Sequence, residues 1–178
     1  FVAVDPLGLI PVFASLTSGI GMSKKDLRFI YVRATVVALG ILMIFWFFGG
    51  IILETLGIGM SSFRIVGGLF LMIIAYQIMF GKFQEQREKN MNAAINDEFL
   101  STLATFPLAT PMIAGPAAIT LTIVFADGTD LNLVSQIVSF APVAAVVGVA
   151  GICMWISSEL TSRVSPNILI IHQKLFGL

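Results

Sequence analysis

Charge is scarce in this sequence. Only 11% of its 178 residues are Asp, Glu, Lys or Arg, against about 25% in an ordinary soluble domain. Too few polar groups are present to cover a water-facing surface. Ten basic and ten acidic residues cancel, so no excess of positive charge exists to hold a nucleic acid, which is not an expected partner. One cysteine, Cys153, excludes an intrachain disulfide, and one histidine, His172, leaves little for a metal cluster or a Ser and His nucleophile pair. Neither a cofactor nor a metal is expected. An intramembrane aspartyl protease would need a second buried aspartate beside Asp5, and the others fall in expected loops. No enzyme activity is therefore read from the chain. A nucleotide-binding loop is lacking too, so any transport would draw on ion or solute gradients. One elementary charge crossing 100 mV supplies about 2.3 kcal/mol for that.

Apolar residues fill the space that charge leaves. They make up 57% of the chain, and the mean hydropathy is +0.98. The stretch "ATVVALGILMIFWFFGGIIL", from Ala34 to Leu53, is twenty residues without a charge, enough to span a hydrocarbon core about 30 Å thick as a helix. These features predict an all-α, polytopic helical membrane protein in contact with the lipid bilayer.

Six spans are expected. The first surrounds "DPLGLIP" and lacks its beginning, as Phe1 stands only four residues before Asp5. The second is Ala34 to Leu53, the third runs from about Ser61 to Phe80, and the fifth from about Val134 to Ser157. Between Phe99 and Ala126 lie 28 uncharged residues containing Pro107, Pro111 and Pro116, too long and too interrupted for one straight helix. This is a broken fourth span. After Pro166 only the start of a sixth remains, so that helix is truncated. The organisation reads as a first three-helix repeat over 1–81, a charged loop over 82–98, and a second, incomplete repeat over 99–178.

Orientation follows from the basic residues, which gather in cytoplasmic loops. Lys24, Lys25 and Arg28 follow span one, Lys82, Arg87 and Lys89 follow span three, and Arg163 follows span five. Loops two and four carry only acids, Glu54, Asp127 and Asp130. The alternation fits a multi-pass protein of the cytoplasmic membrane with its N-terminus outside and loop 82–98 inside. Three spans on each side of that loop make the halves inverted relative to one another.

Proline, present seven times, is placed to match. "DPLGLIP" (5–11) and "TPMIAGP" (110–116) each hold two prolines five apart, and a shift of 105 positions superposes Pro6 on Pro111, Pro11 on Pro116, Leu16 on Leu121 and Thr17 on Thr122. Non-helical backbone at membrane depth is tolerated only where protein or water surrounds it. Transporters with inverted repeats place a binding site between such broken helices. Asp5 before Pro6 and Thr110 before Pro111 are cap residues followed by proline at a first helical position, while Gly8 and Gly115 permit close backbone approach. Asp5 would suit a coupled proton or sodium ion, pair with a substrate ammonium group, or cap a helix near the outer surface. Ser15, Thr17, Thr120 and Thr122 could supply hydroxyls, or only bond their own backbone. Arg33 and Arg64 are expected to snorkel, the pair Ala144 and Gly148 to pack helices closely, and Trp46 and Trp155 to lie in the core or at an interface.

At "DPLGLIPVFASLT" and "PLATPMIAGPAAIT" the sequence resembles the MarC family of membrane proteins, known also as small neutral amino acid transporters. The resemblance extends over nearly the whole chain. It implies two inverted three-helix repeats with a site for glycine, alanine and similar amino acids between the broken first and fourth helices. By position, the site residues it implies are Asp5, Pro6, Gly8 and Pro11, with Thr110, Pro111, Gly115 and Pro116. A non-transporting membrane sensor or accessory protein is the alternative, with loop 82–98 as its partner surface.

Overall fold

The computed structural model describes residues 1–17, 22–79, 97–127, 129 and 132–163. All regular structure among them is helical, in the order α1 (Leu9–Thr17), α2 (Lys24–Thr55), α3 (Met60–Met79), α4 (Asp97–Leu103), α5 (Pro116–Asp127) and α6 (Leu133–Arg163). An irregular segment, Ala104–Ile113, joins α4 to α5. Two helices, Lys24–Thr55 and Leu133–Leu160, are each long and apolar enough to cross a membrane, and the pair Asp97–Ile113 and Pro116–Asp127 passes the same test as one unit bent by 58°. Residues 164–178, with His172 and the expected sixth span, lie outside the described residues. So does loop 82–98 apart from Asp97 and Glu98, which begin α4.

Helix α2 begins ten residues before the expected second span. A capping box starts it: the Asp26 amide donates to Ser23 Oγ at 3.3 Å, and the Ser23 amide donates to the Asp26 carboxylate at 2.9 Å. Lys24, Lys25 and Arg28, read from the sequence as a loop, ride on its first turns. At the other end Gly57 takes φ +68°, the left-handed geometry for which glycine has no steric penalty. Ile58 then donates to the Leu53 carbonyl at 2.8 Å and Gly57 to that of Glu54 at 3.0 Å, a pairing that closes a helix and satisfies its last acceptors.

Leu27, Ile30, Ala34, Ala38, Leu42, Trp46, Gly49 and Leu53 are the buried face of α2, recurring every three or four residues as one helical stripe requires. Against this stripe pack α6, α5 and the irregular segment. Helix α1 lies on α6, where Ser157 Oγ donates to the Ile10 carbonyl at 2.7 Å. Phe13, Leu42, Leu108, Ile113, Val147 and Met154 share the resulting core. Cys153 is buried as well.

Close approaches fall where a side chain is missing. A Cβ on Gly151 would lie 2.8 Å from Thr35 Oγ1, and one on Gly49 would lie 2.5 Å from Ile123 Cγ1. Gly148, the expected packing residue, instead faces open space, because helical phase turns Gly151 toward α2.

Among the described residues, two ion pairs mark opposite ends of the bundle. Lys24 at the start of α2 meets Glu159 near the end of α6 at 3.4 Å. Arg64 near the start of α3 meets Asp127 at the end of α5 at 2.8 Å. Arg64 therefore has a partner that its place near a span end did not reveal, whereas Arg33 stands 5.5 Å over the Phe29 ring.

Candidate functional site

Each proline motif begins in non-helical backbone and ends in a helix, so Pro6 and Pro111 do not take the first helical position expected of them: Pro11 lies inside α1, and Pro116 opens α5. Residues 6–8 form turns before α1 begins at Leu9. Asp5, at φ +44°, accepts the Gly8 amide on Oδ1 at 3.2 Å, which holds the turn at residues 6–8 together rather than capping α1, whose first residue is Leu9. In the second motif Phe106 (φ −135°, ψ 121°) and Thr110 (φ −133°, ψ 122°) are extended. Each precedes a proline, whose ring disfavours the helical region for its predecessor. The Ala114 amide reaches back to the Ala109 carbonyl at 2.8 Å, and α5 then starts at Pro116 with the Ile119 amide on the Gly115 carbonyl at 2.9 Å.

The two glycines are fitted to the chain itself. A Cβ on Gly8 would meet the Asp5 carboxylate, and one on Gly115 would meet the Pro111 carbonyl oxygen. Their lack of a side chain shapes the two turns directly. Pro6 and Gly115 are buried, Gly8 and Thr110 half-buried, and Asp5, Pro11, Pro111 and Pro116 exposed.

None of these eight residues lines the larger cavity. That space, about 430 Å³, is bounded by the N-terminal segment with Val4, by α2 with Leu42 and Trp46, by α5 with Ala118 and Thr122, and by α6 with Ser139 and Val143. Val4 stands immediately before Asp5, and Ala118 stands two residues after Pro116. The cavity thus touches residues flanking both proline motifs. Its walls are mostly apolar and carry no Asp, Glu, Lys, Arg or His side chain. Thr129 also borders it, which sets it toward the end of the bundle where Arg64 meets Asp127.

Of the four hydroxyls read from the sequence, only Thr122 lines this space. It donates to the Ala118 carbonyl at 2.7 Å, leaving its oxygen able to accept. Thr17 and Ser15 bond their own helix, to the Phe13 and Val12 carbonyls. The Thr120 methyl packs where a Gly67 side chain would stand.

Two wall residues were not singled out as site residues. Trp46, 3% exposed, donates its indole N–H to Gln136 Oε1 at 2.7 Å and meets Phe140 edge-to-face at 5.3 Å. This ties α2 to α6 above the cavity. Pro142, inside α6, lines the cavity as well and has no N–H to give to the helical ladder. A proline within an uncharged span was the signal for it. Among the described residues no group of three or more His, Cys, Asp or Glu could hold a metal ion.

The signature of MarC family integral membrane proteins matches residues 1–178. The chain belongs to the MarC family. Its relatives include a UPF0056 membrane protein of Buchnera aphidicola subsp. Baizongia pistaciae, 36% identical over 70% of this chain and 57% of that protein. Another, from Methanocaldococcus jannaschii, is 30% identical over the whole chain and 76% of its own length. The UPF0056 membrane protein YhcE of Escherichia coli is 33% identical over 87% of this chain and 68% of that one. The chain therefore spans little more than half of the first relative and about two thirds to three quarters of the other two. No solved structure matches it.

Proposed function

We propose that this MarC protein is a secondary transporter that moves small neutral amino acids, glycine and alanine, across the cytoplasmic membrane. The observation that carries the proposal is the cavity of about 430 Å³ whose walls reach residues flanking both proline motifs while containing no charged side chain. Its size is that of small-molecule sites, about 300–1,000 Å³. Ala118, in the first turn of α5, brings the positive end of that helix beside the cavity, which favours a carboxylate. One turn further along α5 and on the facing wall of α6, the Thr122 and Ser139 hydroxyls can accept from an ammonium group. A zwitterion fits such an arrangement. A charged side chain would be buried there without a partner, at a cost that excludes acidic and basic amino acids.

The packing supports an inverted repeat as the frame. Helix α1 lies on α6 while the α4–α5 unit lies on α2, with α2 against α6 between them. A pseudo-two-fold axis exchanging the halves would interchange those two contacts and map the third on itself. Asp5 and Thr110 then occupy equivalent places, one before each half-helix, with Asp5 as the candidate for a coupled proton or sodium ion. On this reading the Lys24 and Glu159 end is cytoplasmic, and the cavity opens toward the outside.

Occupancy of the cavity is testable with a single thiol. Thr122→Cys in a Cys153→Ser background should react with a small thiol reagent, and saturating alanine should slow that reaction severalfold while lysine leaves it unchanged. An unaltered rate in folded protein with alanine present would remove the cavity from the mechanism.

A further inference from the structure

A second depression lies on the outer surface, between α2 and α6 and away from the cavity. It encloses about 400 Å³ and is lined by Tyr31, Val32, Val36, Gly148, Ile152 and Trp155, with Thr35 and Gly151 at its floor. Val36 is 62% exposed, Ile152 54% and Trp155 52%. These walls belong to the two helices long enough to cross a membrane, so the occupant must suit a hydrocarbon setting.

Charge names the occupant. Lys25 and Arg28 stand seven and four residues before Val32, the spacing that sets them on the same face of α2, one and two turns beyond the groove. Both are exposed. Among the described residues the ion pairs are Lys24 with Glu159 and Arg64 with Asp127, which leaves Lys25 and Arg28 without a carboxylate partner. Glu159, the acid at the same end, is held by Lys24. Tyr31 and Trp155 flank the groove near that end, the amphipathic type of side chain that settles at headgroup level.

We propose that this groove binds an anionic glycerophospholipid, with an acyl chain along Val32, Val36, Gly148 and Ile152 and the phosphate headgroup against Lys25 and Arg28. The site belongs to the leaflet facing the basic loops. Binding staples α2 to α6 along the line where the two halves of the chain meet.

Trp155 supplies the readout, because the other tryptophan, Trp46, is buried. The protein in vesicles should be quenched by brominated phosphatidylglycerol at lower mole fraction than by brominated phosphatidylcholine, and Trp155→Phe should remove the difference. Each basic residue near an anionic headgroup is worth about a fivefold change in binding, so Lys25→Gln and Arg28→Gln should each lower the preference by about that factor. Gly148→Leu, whose Cβ would enter open space on the groove wall, should weaken quenching by both lipids. Equal quenching by the two lipids, or quenching unchanged in both Arg28→Gln and Gly148→Leu, would overturn the assignment. So would a disulfide between two copies of a Val36→Cys, Cys153→Ser protein that forms equally at high lipid dilution, since a second copy would then fill the groove.

Discussion

Adjacent glycines on α2 offer a matched pair of substitutions. Gly49 faces α5, where a Cβ would lie 2.5 Å from Ile123 Cγ1 and 3.1 Å from its Cδ1, whereas a Cβ on Gly50 meets nothing within 4 Å. Replacing either by alanine brings the same gain in helix propensity, about 1 kcal/mol. Only at position 49 must the extra methyl displace a neighbour, and overpacking of this kind costs about 1–3 kcal/mol. Gly50→Ala should therefore be neutral or stabilising, and Gly49→Ala should fall below it by about 1–3 kcal/mol. Unfolding in mixed micelles by added denaturing detergent, followed by circular dichroism, would measure the difference. Ile123→Ala should be better tolerated in the Gly49→Ala protein than in the wild type, with a coupling of about 0.5–3 kcal/mol expected for side chains in contact. Equal stability of the two alanine variants would refute the contact between α2 and α5, and with it one wall of the cavity.

Three further outcomes are expected. Single cysteines in a Cys153-free background should be protected from external reagents at position 90 and labelled at position 129, and the reverse pattern would remove the inverted repeat. Asp5→Asn should fold and transport poorly, since the amide keeps an acceptor for the Gly8 amide but loses the charge. Asp5→Ala should also lose about 0.5–1.5 kcal/mol of stability with the bond to the Gly8 amide, and full activity of a well-folded Asp5→Asn protein would reduce Asp5 to that turn contact alone. Trp46→Phe should cost about 1 kcal/mol through the lost bond to Gln136 and alter alanine affinity, and a stability equal to wild type would show that the bond is not formed.

Helix positions were largely legible in the sequence because apolar runs and their charged ends are local features. The third and fifth expected spans overlie α3 and α6, and Pro107 and Pro111 fall in the irregular backbone between α4 and α5, which Pro116 opens. The early start of α2 was hidden because Lys24, Lys25 and Arg28 look like a loop, although Ser23 and Asp26 hold the spacing of a capping box. The cavity was not legible at all. Its walls come from Val4, Trp46, Thr122 and Ser139, which no local pattern connects. Gly151 rather than Gly148 makes the close approach for a related reason: both are small and sit in one apolar run, and only the phase of α6 against α2 separates them. The proline motifs were visible as breaks, but that Gly8 and Gly115 fit their own turns depends on carbonyl and carboxylate positions that composition does not encode.

Transport itself is most directly tested by counterflow. Liposomes holding the full-length protein and loaded with unlabelled alanine should accumulate labelled alanine transiently above the protein-free control. External glycine and serine should suppress that uptake, while lysine, glutamate and tryptophan should leave it intact. No accumulation by folded, reconstituted protein, or equal suppression by lysine, would contradict a transporter of small neutral amino acids.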